Sequence, residues 1–339
     1  MSLMSLFRPL TPREMVNWTV HLYAQYFPQW MVLGLLAVAP LVLINLALAS
    51  LLPQPSFDAA VLEQLMESLE SGQMPGDPAL AQAALDDLLH NSMLMLQQVA
   101  IQLFVQILVV GIIGGGIGAL MTSAAYQGGA VSLAAALQGI GPRLRALGLG
   151  HLLAGLVLIA LLVGSILGAA FCVGILGLGL TIYVYIAWVP LLAPTLALED
   201  GTLKGRLRRA WSFGKRRVWL IFSITLGLYA LRFLLGIPLD LLATLLAPES
   251  AVAAQIMTML VEVLVLPLGV IYFTILYQDV RGRQEQIALE VEGAERPATE
   301  PILSTADLPG VFGVSMTALA LLFALYMFVM LRAMPAVTP

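Results

Sequence analysis

Three ionisable residues sit where ionisable residues are costly. Arg232 in LYALRFLLG, Asp240 in IPLDLL and Glu262 in MLVEVLVLP lie within or beside long apolar runs, and a charge at membrane depth normally turns toward a partner or toward water. Two readings fit them: a translocation or proton site, or an interhelical ion pair that carries out no chemistry. Arg232 and Asp240 are eight residues apart, about 80 degrees around an ideal helix, with Pro238 between them. Glu262 belongs to the next apolar run and is placed to meet Arg232 across a hairpin. The ion pair is the simpler expectation, because three residues of one hairpin are a thin basis for a pathway.

A second concentration of charge is the run EDGTLKGRLRRAWSFGKRRVW. It places seven of the chain's sixteen lysines and arginines between positions 204 and 217, although the formal net charge of the chain is -4. Read as a helix, it puts Leu203, Leu207, Ala210, Trp211 and Gly214 on one face, while Lys204, Arg206, Arg208, Arg209 and Lys215 spread over the remainder and Arg216 and Arg217 follow. Thr202 is the expected N-cap after an Asp200-Gly201 turn, and Trp211 and Trp219 suit headgroup depth. A basic side chain beside an anionic leaflet contributes about 1 kcal/mol. The functional reading is recognition of anionic lipid, or of a protein subunit, by these seven cations and Trp211. The plain one is that they fix topology and anchor the fold.

Other chemistry has no visible residue set. HExxH, GxSxG, Walker A and CxxC patterns are absent from the sequence, and His21, His90 and His151 are scattered. Cys172, the only cysteine, lies in the apolar run GAAFCVGILG, which excludes an intramolecular disulfide and a multi-thiolate metal site. The glycine-rich GIIGGGIGAL at 111–120 resembles a dinucleotide loop only by letters, because it stands within an apolar run where close helix packing is its natural role. Neither an enzyme nor a cofactor, a metal or a nucleic-acid partner is expected.

The elements that must position these groups follow from hydropathy. Sixty per cent of the residues are apolar, eleven per cent are charged and the mean hydropathy is +0.94, values of a membrane protein. Runs long enough to cross about 30 Å of hydrocarbon occupy 29–52, 95–122, 150–170, 175–197, 218–246, 252–278 and 310–331. The division of 150–197 into two rests on length and on the glycines from Gly164 to Gly179. Segments 1–28, 124–149, 198–217 and 279–308 hold fourteen of the sixteen positive charges, and segment 53–92 holds none. Cytoplasmic loops retain arginine and lysine, so the N-terminus is expected inside and the C-terminus outside. The start MSLMSLFRPLTPREM lacks the pattern of a cleaved signal peptide.

A faint threefold pattern runs through the basic side. Ser132, Leu133, Leu137, Ile140, Arg143 and Arg145 precede the third span much as Thr202, Leu203, Leu207, Ala210, Phe213 and Lys215 precede the fifth. A looser copy, with Thr11, Met15, Val16, Trp18, Thr19 and Leu22, precedes the first, where Pro12 at N1 and Glu14 at N3 complete a capped start. The repeating unit is expected to be an interfacial helix followed by a membrane hairpin. Segment 53–92 interrupts the first hairpin with two amphipathic stretches, FDAAVLEQLMESLES and DPALAQAALDDLL, joined by the turn SGQMPG. They read as a helical cap on the outer face, with Asp77 and Pro78 opening the second stretch. Its carboxylates lie on helices, not in a loop of alternating oxygen ligands, so a calcium site is not the expectation.

FRPLTPREMVNWTVHLYAQYFPQW, WVPLLAPTLALEDGTLKGRLRRAWSFGKRRVW and ILYQDVRGRQEQIALE together resemble the bacterial glycerophosphoryl diester phosphodiesterase membrane domain family and its stand-alone relatives. The family's closing pattern of tyrosine, aspartate and alternating arginines is matched by Tyr277, Asp279, Arg281 and Arg283. The resemblance covers about residues 5–292 and implies a six-span domain in a bacterial inner membrane. It implies no phosphodiesterase activity, since no soluble catalytic domain accompanies it. The chain departs from the family in its seventh span.

The combined expectation is an all-α polytopic bundle of about seven spans with cytoplasmic interfacial amphipathic helices and a helical extracytoplasmic insertion. Residues 1–292 form the membrane domain, 293–309 a cytoplasmic linker and 310–339 a final span with a short outer tail. A scaffold or accessory subunit engaging anionic lipid or a partner protein is the first functional expectation. A small-solute or lipid transporter or channel is the second, and a component of a lipid-linked enzyme the third. A polar cavity reaching mid-membrane separates the second from the first.

Overall fold

The computed structural model describes residues 10–51, 53, 78–168, 174–246 and 251–290, together with Gly313, Thr317 and Ala320. Every regular element among the described residues is helical, and six helices there are long and apolar enough to cross a bilayer. The protein is an all-α, multi-pass membrane bundle. Helix α1 (Pro12–Gln25) leads into α2 (Phe27–Leu51). Then α3 (Pro78–Val109), a π-helical segment (Val110–Ile117) and α4 (Gly118–Tyr126) follow one another without a loop. Helix α5 (Leu133–Ile140) and the short 3-10 turn Gly141–Arg143 precede α6 (Leu144–Leu167). Next come α7 (Gly174–Leu198), α8 (Leu203–Lys215), α9 (Val218–Leu246) and α10 (Ala251–Glu290).

Two spans, α6 and α7, occupy 150–197, as length and glycine content had indicated. The insertion differs from expectation. Its first amphipathic stretch, the SGQMPG turn and Asp77 lie outside the described residues, but the second stretch is no separate cap: Pro78 opens α3, which continues directly into the second span. Apolar residues such as Leu88 and Leu89 continue the helix, and nothing between Pro78 and Val109 breaks it. The 293–309 linker lies outside the described residues, as does the predicted 310–331 span apart from Gly313, Thr317 and Ala320. A Cβ on Gly313 would meet the Trp219 ring at 2.5 Å, so the chain at that point lies directly on the start of α9.

The short helices on the basic side start where their hydroxyl caps predict. Thr11 Oγ1 accepts from the Glu14 N–H at 3.3 Å while the Glu14 carboxylate accepts from the Thr11 N–H at 2.7 Å, a complete capping box with Pro12 in the first turn. Ser132 accepts from the Ala135 N–H and Thr202 from the Gly205 N–H, both at 3.3 Å. Gly201, with φ +115, supplies the left-handed residue that the turn before Thr202 requires.

Helix α10 is the axis of the bundle, packed against α1, α2, α4, α7 and α9; α6 pairs with α7, and α7 also carries α8. Hydrocarbon gives helices little hydrophobic reason to associate, so backbone proximity matters more than in water. Gly34 of α2 lies so close to α10 that an added Cβ would stand 2.5 Å from the Val263 carbonyl oxygen. Gly214 of α8 is closer still to the backbone of Ala187 on α7.

That contact revises the reading of α8. Its apolar face, Ala210, Trp211, Phe213 and Gly214, is buried in protein. The Trp211 ring stands edge-on to Tyr183 and Trp188, with centroids at 6.1 and 6.5 Å, and Phe213 packs against Tyr277 at 6.0 Å. Trp188 Nε1 donates to the Leu207 carbonyl at 3.2 Å. Periodicity identifies a face to be covered, and here α7 and α10 cover it. Replacing Gly214 by valine is expected to lower the melting temperature in detergent by at least several degrees, because the α8–α7 contact cannot open locally. At Gly227, where an added Cβ meets nothing within 4 Å, alanine is expected to be neutral or to raise stability by a few tenths of a kcal/mol.

Candidate functional site: an intramembrane cavity

The predicted ion pair is present. Arg232 Nη1 of α9 lies 2.7 Å from Glu262 Oε1 of α10, within spans that extend well beyond both residues. Asp240 belongs to α9, but its side chain lies outside what the structure describes. The pair does more than join two helices, because it stands in the wall of a partly open cavity of about 230 Å3 lined by the α3 and π segments, α6, α7, α9 and α10. Glu262 and Thr274, both in that wall, are separated by twelve residues of α10, about 18 Å of helix rise. The space is therefore elongated along the bundle.

Most of the wall is apolar, with Leu103, Ile107, Val189, Leu266 and Phe273 among its residues. The polar groups are few. Tyr185 of α7 and Tyr229 of α9 line the same cavity as Glu262. The Thr225 hydroxyl is buried without a hydrogen-bond partner among the described residues. Gln106 and His151 line the α3 and α6 sides. His151 Nδ1 is 2.8 Å from the Leu147 carbonyl oxygen, a contact that requires the proton on Nδ1 and makes Nε2 of the neutral ring an acceptor.

The glycine-rich stretch makes room for these groups. Residues 110–117 form a π-helical segment, with Gly111 and Gly115 in the cavity wall. The ring of His151 lies directly on Gly111, where any side chain would collide, and a Cβ at Gly115 would approach Ala193 of α7 at 2.6 Å. Short π segments inside α-helices occur often at functional sites. Close packing, the role expected of these glycines, is thus half of what they do; they also shape a void.

The basic cluster has been divided between two tasks. Arg206 donates to the carbonyls of Gly201 (2.9 and 3.2 Å) and Leu196 (3.2 Å), and Arg143, arriving from the turn before α6, donates to Ala197. These are the open carbonyls at and beyond the end of α7. Arg209 pairs with Glu199 at 2.9 Å, and the buried Glu199 carboxylate also accepts from the Tyr277 hydroxyl at 3.0 Å. Nearby, Asp279 accepts from the Leu10 N–H at 2.8 Å and pairs with Arg283 at 2.8 Å, tying the N-terminal segment to α10. Lys204, Arg208, Arg209 and Arg216 are exposed, while Arg206, Lys215 and Arg217 are partly covered. Trp211 is buried and is not available to a headgroup.

Glu199, Thr225, Tyr185 and Tyr229 had not been singled out by sequence reasoning. Only Glu199 carried a signal: a carboxylate at a helix end facing a run of cations. No family model, no curated protein and no solved structure matches the chain, so the resemblance described above stands on its quoted residues alone.

If Arg232 and Glu262 act as a pair, Glu262→Gln and Arg232→Met each lower thermal stability, on the order of 1 to 3 kcal/mol, by leaving a charge without its partner. The double variant Arg232→Met/Glu262→Met is expected to be more stable than either single variant. Additive losses in that cycle would show that the two side chains do not depend on each other.

Proposed function

We propose that this membrane protein binds a small amphipathic molecule in the cavity among α3, α6, α7, α9 and α10 and works as a carrier of lipid or small solute. The observation that supports this reading is a largely apolar void, elongated along the bundle, with an ion pair, two tyrosines and an unpartnered hydroxyl in its wall. A chain serving only as a scaffold has no need to gather polar groups around a cavity at membrane depth, where each is costly. No reaction is proposed.

The scaffold reading keeps one specific support. The exposed Lys204, Arg208 and Arg216 remain on the outer side of a helix whose apolar face is already covered, a suitable surface for anionic headgroups or an acidic partner. It is compatible with a cavity carrier and needs no different fold.

A photo-crosslinking residue separates a cavity ligand from bulk lipid. At Leu228, which lines the cavity, crosslinking in native membranes should yield one dominant adduct mass. At Leu226, which is 43% exposed on the same helix, it should yield a broad mixture of membrane lipids. Matching mixtures at both positions would sink the proposal.

A further inference from the structure

Resting on the cavity reading above, we infer that the ligand is a lipid without net charge, its zwitterionic or uncharged headgroup beside Arg232 and Glu262 and its chain along the apolar wall. Three observations carry this. First, the fixed charges among the described wall residues cancel: Arg232 and Glu262 stand 2.7 Å apart, Thr225, Tyr229 and Gln106 carry no charge, and His151 donates from Nδ1 to the Leu147 carbonyl. A net charge brought into such a site has no counter-charge, and desolvating it is prohibitive without one. A zwitterion meets a cation and an anion already side by side, while the unpartnered Thr225 hydroxyl, about two turns back along α9, offers a hydrogen bond further down the wall.

Second, the ion pair lies toward one end of the cavity and an apolar wall continues along α10 to Phe273 and Thr274. This is the polarity of a molecule with a compact head and a hydrocarbon tail. A sugar or an inorganic ion would leave most of that wall unmatched.

Third, α3 and α9 both line the cavity, yet among the described residues they make at most marginal contact with each other, and α9 is the least covered of the six candidate spans. The seam between them is the route by which a ligand already dissolved in the bilayer would reach the site without crossing an aqueous phase. The same seam gives the cavity-filling variants a tolerant location, because α9 has apolar surroundings to yield into.

The test uses the full chain in nanodiscs of phosphatidylethanolamine, phosphatidylglycerol and diacylglycerol in equal parts, followed by gentle release and native mass spectrometry. A one-to-one adduct of phosphatidylethanolamine or diacylglycerol is expected. Thr225→Phe, which fills the cavity from α9, should weaken it about tenfold or more. Leu228→Phe, one turn further along the same helix, repeats that measurement if Thr225→Phe does not fold. In Arg232→Met/Glu262→Met the phosphatidylethanolamine adduct should fall relative to the diacylglycerol one. A phosphatidylglycerol adduct that the filling variants abolish would overturn the assignment of charge while leaving the cavity as the binding site. An adduct unaffected by both filling variants, or none at all, would overturn the cavity reading itself.

Discussion

A helix that ends inside protein must find donors for its last carbonyls, and α7 ends inside protein. Leu191, Leu192, Thr195, Leu196 and Ala197 have no solvent exposure, so water cannot meet the need that hydrocarbon and neighbouring side chains also leave unmet. The chain resolves it with guanidinium groups from two directions, Arg206 from the next helix and Arg143 from the element before α6. Much else depends on that solution. It holds α8 against α7 closely enough for Gly214 to lie on the backbone of Ala187, and it brings Arg209 to the buried Glu199, whose other oxygen accepts from Tyr277 on the central helix. One set of positive charges thus both stops a helix and joins three others, and favours the negative end of the α7 dipole while doing so.

The cavity follows from a different constraint. Helices close on one another in a membrane through small residues, but the same residues leave space where the opposing surface does not fill it. Gly111 and Gly115 on the π segment, Ala193 with Pro190 and Pro194 on α7, and Gly269 on α10 all border the void. Within that space the paired charges of Arg232 and Glu262 are not sealed between helices; they remain accessible to whatever occupies it.

Local features were legible in the sequence and distant ones were not. Thr11, Ser132 and Thr202 cap helices because a hydroxyl and the N–H three residues on are neighbours in the chain, and the spans are visible because lipid demands continuous apolar length. Arg232 and Glu262 were predictable as partners because an antiparallel hairpin restricts where each can point. By contrast, the Arg143–Ala197 and Asp279–Leu10 contacts join residues 54 and 269 positions apart, and nothing local in either segment announces its partner. The cavity was less legible still. A void is a failure of several surfaces to meet, and the unpartnered Thr225 hydroxyl is defined by what surrounds it. The burial of Trp211 escaped for a related reason, since an amphipathic helix looks the same whether protein or bilayer covers its apolar side.

Pro190 and Pro194 have a mechanical consequence. Neither has an N–H, so the carbonyls of Ile186 and Pro190 lack the usual donor four residues on and α7 is missing two successive rungs of its ladder. The guanidiniums at Leu196 and Ala197 clamp the stretch beyond it, and α6 runs beside both arms, with Gly150 on Leu196 and Ser165 on Gly177. Bending stress in α7 concentrates at a joint of about one helical turn, and that joint lies in the cavity wall. A change of angle at that joint would move part of the cavity wall, and α6, which touches α7 on both sides of the joint, is the element that resists it.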